Sequence, residues 1–117
     1  MTSYIYKIYR PAEWHFTKGD LPFTGSADDL KSGFIHFSTR EQLETTLAKH
    51  FASEKDIVVA AYAAKNFPPS QLIWEKGSNG QTYPHLYGTV GTAAHKDYWT
   101  IARSLNGFDL SALPKDT

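Results

Sequence analysis

Two histidines stand in matching surroundings along this chain. Gly33-Phe34-Ile35-His36-Phe37-Ser38 and Tyr83-Pro84-His85-Leu86-Tyr87 both read as strand segments, and in a strand alternate side chains share a face. Phe34, His36 and Ser38 therefore point one way, as do Tyr83, His85 and Tyr87 on theirs. Each imidazole is flanked by aromatic or hydroxyl side chains, the mixture of stacking surface and hydrogen-bonding groups found in small-molecule pockets. Imidazole also titrates near neutrality, so it can take or give a proton there. The plainer alternative for each is a core histidine hydrogen-bonded to backbone. The matched pair favours a polar cleft around His36 and His85.

Three further side chains join the candidates. Glu75 follows Trp74 and is a candidate general base or hydrogen-bond acceptor, since a carboxylate beside an indole can have its pKa raised by desolvation; the alternative is a solvated strand-end charge next to Lys76. Ser38 and Thr39 offer hydroxyls at the start of a helix, where free N–H groups attract anions such as phosphates, and for Thr39 capping alone is a sufficient role. His15, His50 and His95 fall at unrelated spacings and read as surface residues. There is no phosphate loop, paired-histidine zinc motif or serine nucleophile elbow. With no cysteine either, disulfides, thiolate nucleophiles and cysteine metal sites are absent, and no metal is expected.

The elements that must position these groups follow from patterning. Tyr4–Tyr9 alternates isoleucine with tyrosine or lysine and predicts a strand ended by Arg10-Pro11. Residues 14–31 carry Gly19, Pro22 and Gly25 and predict a loop or short helix followed by turns; so long a connection in a small domain is often functional. Residues 33–38 predict a strand running straight into a capping box, Thr39 with Gln42 three residues on. Leu43, Leu47 and Phe51 then recur at helical spacing, giving a helix that ends near Ser53. Residues 56–64 are almost unbroken apolar, the mark of a strand covered on both faces. Residues 72–75, 83–90 and 97–104 predict further strands, and Asn106-Gly107 a tight turn opening a last hairpin. Many short strands with one clear helix make an α+β fold.

At 117 residues, with 41% hydrophobic and 15% aromatic content, the chain predicts one domain, residues 1–117, with a core able to stand alone. Net charge is zero and the basic residues are scattered without a run. Nucleic acid, whose binders gather a basic patch, is therefore not an expected partner. No signal-peptide pattern opens the chain, and no apolar stretch reaches the roughly 20 residues a membrane span needs. A cytoplasmic setting with no membrane partner is the expectation; the oligomeric state is left open.

The two histidine segments, in this order, resemble the small, mostly bacterial domain-of-unknown-function family 952 (DUF952). Trp74-Glu75 and the opening Ile5-Tyr6-Lys7-Ile8 fit the same family, so the likeness spans nearly the whole chain. That family in turn looks distantly like the ADP-ribosyltransferase fold, a split, curved, mixed or antiparallel sheet gripping a nicotinamide dinucleotide in a central cleft. In poly-ADP-ribose polymerases a Gly-Ile-Tyr-Phe segment precedes a helix, and its tyrosine stacks on nicotinamide. Here His36 takes the tyrosine's place. The later strand carries a catalytic glutamate in that class, and here His85 lies on the comparable strand.

The resemblance implies an uncharacterised domain binding NAD, as substrate, or a related nucleotide, and transferring or hydrolysing ADP-ribose. In that reading His36, His85 and Glu75 form the catalytic set, with Glu75 substituting for the absent glutamate. Lys7, Trp14, Ser38, Thr39, Tyr83 and Tyr87 make the ligand contacts. Breaking the bond to nicotinamide builds positive charge on the ribose, which a carboxylate stabilises and a neutral imidazole does not. A non-catalytic module binding a small molecule or peptide on the same fold is the alternative.

Overall fold

A computed structural model describes residues 4–16, 22–91 and 94–114, the side chains of His15 and Phe16 excepted. The opening alternation forms β1 (Tyr4–Tyr9). It is followed by α1 (Pro11–Phe16), whose first residue is a proline, tolerated there because that N–H has no helical partner anyway. Then come α2 (Ala27–Ser32), β2 (Ile35–His36) and, after a 3-10 turn over Arg40–Gln42, α3 (Leu43–His50). β3 (Asp56–Ala63) leads through a second 3-10 turn, Ala64–Asn66, to β4 (Leu72–Lys76), β5 (Thr82–Leu86), β6 (Asp97–Ser104) and β7 (Gly107–Phe108).

The strands form two antiparallel sheets, one in the order β1-β3-β6-β7 and the other β2-β5-β4. In the larger sheet β3 is buried on both faces, as its unbroken apolar run requires. Val58, Ala60 and Tyr62 join Ile5, Tyr9, Ile35, Phe37 and Leu86 in one core cluster. Ile57, Val59 and Ala61 join Tyr6, Ile8, Leu43, Leu47 and Phe51 in the other. The period of two along β1 and β3 thus divides the interior into a layer against the smaller sheet and a layer against α3. Leu43, Leu47 and Phe51, the helical stripe, are all buried; each such side chain contributes about 1.5–3 kcal/mol by leaving water.

β1 is an edge strand of its sheet, and its free edge is where the second sheet attaches. Tyr6 and Ser38 exchange two backbone hydrogen bonds of 2.8 Å there. This explains why the strand expected over residues 33–38 is shorter than its pattern. Gly33 takes a left-handed conformation, φ 89°, to cap α2, a backbone state that glycine adopts without steric cost. His36 then pairs with β5, and two residues later Ser38 has changed partner to β1. The segment staples the two sheets together.

Other boundaries also move. Residues 14–31 hold the end of α1 and all of α2 but its last residue, the intervening residues 17–21 lying outside the described residues. α3 stops at His50, short of Ser53. The strand expected over residues 83–90 ends at Leu86; beyond it Tyr87 bonds back to Gln71, and Val90 pairs alone with Phe23. At Thr39 the backbone N–H donates to the Gln42 side-chain oxygen at 3.0 Å, and the Gln42 amide group donates to the Thr82 carbonyl at 2.8 Å. The start of α3 is thereby tied to β5.

Candidate functional site

His36 and His85 are direct partners across the β2–β5 pair. Side chains directly opposite on neighbouring strands stand on the same face, and the two rings lie 5.6 Å apart, centre to centre, at 68°. Phe34, two residues before His36, stacks on His85 at 4.0 Å and 23°, and reaches His36 at 4.7 Å. The three rings form one wall of a cleft of about 370 Å³, within the size range of ligand pockets. β1, α3 and the β4–β5 turn also contribute to its lining.

A carboxylate holds each imidazole at Nδ1, a buried one for His36 and a partly exposed one for His85. Behind His36 stands Asp29, 2% exposed. One of its oxygens accepts from the His36 backbone N–H at 3.1 Å and meets the ring Nδ1 at 2.6 Å. The other accepts from the Lys7 ammonium and the Ser26 N–H, both at 2.9 Å. Sequence reasoning passed over Asp29 because it sits in a stretch read as loop and turns. A signal was present: Ser26-x-x-Asp29 is a capping box, and the Ser26 hydroxyl accepts from the Asp29 N–H at 3.2 Å. The Gly33 turn then returns the chain so that His36, seven residues on, meets the same carboxylate.

Glu75 plays the corresponding part for His85. One oxygen meets His85 Nδ1 at 2.8 Å and accepts from the Tyr87 hydroxyl at 2.7 Å. An ionised carboxylate only accepts hydrogen bonds, so both rings must carry hydrogen on Nδ1. Among the described residues no partner takes either Nε2. Two tautomer-fixed imidazoles with unengaged Nε2 atoms can accept or donate protons for a molecule in the cleft.

The electrostatics agree with ionised carboxylates. Burial alone would raise the Asp29 carboxyl, but the His36 ring hydrogen bond, the Lys7 charge and the Ser26 N–H outweigh it and hold it well below the usual carboxylate range. Burial pulls the Lys7 ammonium down from its ordinary value, with Asp29 resisting. The Tyr87 and His85 hydrogen bonds lower Glu75.

Because the native Asp29 carboxyl ionises more readily than an unfolded one, its stabilisation is complete above the unfolded pKa of about 3.9. It is lost as pH falls toward the native value. Urea unfolding is expected to show stability dropping between about pH 5 and pH 2, and a flatter profile for Asp29→Asn over that window. Identical slopes in the two proteins would contradict this placement of the charge.

The structure brings together His36, His85, Lys7, Ser38 and Tyr83 as cleft-lining residues, with Ser38 Oγ 3.0 Å from Thr46 Oγ1. Glu75 and Tyr87 stand behind His85 and do not line the cleft. Thr39 is buried in its turn. Trp14 is placed elsewhere: α1 turns its indole into the core beside Tyr9, at 5.1 Å, and against His95 and Tyr98, each at 5.0 Å. His95 is thus packed on rings rather than free on the surface. His50 is exposed and lies at the cleft, and the His15 side chain lies outside the described residues.

A neutral chain concentrates cations here: Lys7, Arg10, Lys49 and Lys76 line the cleft against Asp28 and Asp29. Among the described residues no group of three His, Cys, Asp or Glu side chains is placed to hold a metal ion, and no helix is long and apolar enough to cross a membrane.

Comparison with known proteins finds one family and related solved structures. The family described as "Protein of unknown function (DUF952)" matches residues 8–97. The crystal structure of protein CC0527 from Caulobacter crescentus is 35% identical, with a TM-score of 0.83 over 91% of this chain and 92% of that one. The solution structure of the same protein is 36% identical, with a TM-score of 0.76 over 90% of each chain. No curated protein matches.

Proposed function

The chain belongs to the DUF952 family, and on that footing we propose that its cleft binds NAD or a related nucleotide and that the imidazole pair moves protons on the bound molecule. One observation carries the reading: His36 and His85, cross-strand partners that both line the cleft, each have Nδ1 engaged by a carboxylate and no described partner at Nε2. The surroundings support a nucleotide. Phe34 and Tyr83 offer ring surface, Ser38 and Thr46 offer hydroxyls, and Lys49 and Lys76 offer positive charge to phosphate. A volume of about 370 Å³ suits one base–ribose–phosphate unit. The division into two antiparallel sheets around a cleft is in keeping with an ADP-ribosyltransferase-like ancestry, and a cytoplasmic setting goes with a nucleotide ligand.

Isothermal calorimetry with NAD and ADP-ribose tests the proposal. Saturable binding is expected in the wild type, weakened at least about tenfold in His36→Ala, the loss of roughly one charge-assisted hydrogen bond. No saturable heat at millimolar ligand would remove these nucleotides as ligands.

A further inference from the structure

We infer that the imidazole pair cleaves a P–O bond and that its substrate is a ribonucleoside cyclic phosphodiester, an inference that rests on the nucleotide-binding reading and specifies its chemistry. The carboxylates decide against the glycosidic bond. Departure of nicotinamide leaves positive charge on the ribose, which needs a negative group beside it. Glu75 is turned behind His85 and shares one oxygen between that ring and Tyr87. Asp29 is sealed against Lys7, Ser26 and His36. Asp28, the remaining carboxylate of the lining, is exposed on α2. None is available next to the rings.

The groups that do face the cleft are a base, an acid and cations. A five-membered cyclic phosphodiester carries one negative charge, complementary to Lys49 and Lys76. Lys49 is anchored at the rim by a 2.8 Å hydrogen bond to Ser78. The leaving group in such a ring is a ribose oxygen, a poor one unless it is protonated. A phosphoanhydride would leave as phosphate without needing a proton, and one imidazole would be idle.

The step balances with water as the only co-reactant. A neutral imidazole accepts a proton through Nε2 from water as the water oxygen bonds to phosphorus. The ring P–O bond breaks, its electron pair passes to the ribose oxygen, and that oxygen takes the proton from Nε2 of the other imidazole, which starts protonated. The two rings have exchanged states, and solvent restores them. With ring centres 5.6 Å apart, a single tetrahedral phosphoryl group lies within reach of both.

The test incubates the full chain with the ribonucleoside 2′,3′-cyclic phosphates, with a short RNA ending in a 2′,3′-cyclic phosphate, and with NAD, followed by phosphorus NMR and by assay of free nicotinamide. The cyclic phosphate signal is expected to give way to a single monoester, and which of the first two substrates reacts faster identifies the source as free nucleotide or RNA end. Turnover is expected to be abolished in the doubly substituted His36→Asn/His85→Asn chain. It should fall at least about a hundredfold in His36→Asn alone, measured on protein whose circular dichroism matches the wild type. If calorimetry shows the cyclic nucleotide bound while its signal persists, the inference fails and nucleotide binding stands; if no nucleotide binds, both fail. Histidine-dependent release of nicotinamide without ring opening, or ring opening that survives the double substitution, would also overturn it.

Discussion

Asp29→Ala is expected to destabilise the native state by about 3–5 kcal/mol, the cost of leaving one partner of a buried ion pair uncompensated. Lys7 is 5% exposed and Asp29 2%, so water cannot replace the lost carboxylate. The same substitution orphans the Ser26 and His36 backbone N–H groups and undoes the capping box of α2, and each unsatisfied buried donor adds about 1–3 kcal/mol if nothing relaxes. Lys7→Met in the Asp29→Ala background should recover part of the loss, because it removes the stranded charge. A double-mutant cycle in urea should therefore report coupling at the upper end of about 0.5–3 kcal/mol. A loss below about 1 kcal/mol for Asp29→Ala would mean that the pair is solvated, like a surface salt bridge.

His36→Gln and His85→Gln are each expected to lower turnover at the cleft by about 10²–10⁴-fold, the usual contribution of a positioned general acid or base. The two losses should not multiply in the double variant, because once one proton transfer is missing the other has little left to assist. The supporting carboxylates predict a graded effect. Glu75→Gln keeps a side chain of the same shape but can donate as well as accept, so the tautomer of His85 is no longer dictated. Its effect should fall on turnover more than on nucleotide affinity, since Glu75 does not line the cleft. Equal loss of binding in Glu75→Gln would show that the side chain touches ligand directly.

How far the sequence foretold this arrangement depends on which interactions are local. The face shared by Phe34, His36 and Ser38 follows from the period of a strand, and all three line the cleft. The two-sided burial of β3 follows from an apolar run with no polar alternation, and β6 spans the predicted residues because nothing interrupts its pattern. The six-residue helices α1 and α2 are too short to show periodicity, and both lie in or beside a stretch whose glycines and prolines signal turns.

The capping role of Asp29 was legible in Ser26-x-x-Asp29, but its role as an ion-pair partner was not. That second role exists only where β1, α2 and β2 converge, and a buried carboxylate cannot be told from a surface one without its lysine in view. Lys7 looks like the polar half of an amphipathic alternation, yet β1 is buried along nearly its whole length. Trp14, a ligand contact under the family resemblance, instead joins the core cluster with Tyr9 and Phe23, where a ring of that size buries much apolar area. For Glu75 the reading as a hydrogen-bond acceptor is the one the geometry matches: one oxygen meets His85 Nδ1 and accepts from the Tyr87 hydroxyl.

Long-range nitrogen–proton NMR of the imidazoles reaches the central claim most directly, because it reports which ring nitrogen carries hydrogen and whether the other meets a ligand. At a pH where the rings are neutral, His36 and His85 should both show protonated Nδ1 and bare Nε2, and saturating nucleotide should shift both Nε2 signals together. Protonated Nε2 in either ring, or two Nε2 signals unmoved by a nucleotide that calorimetry shows to be bound, would mean that the pair does not face the ligand.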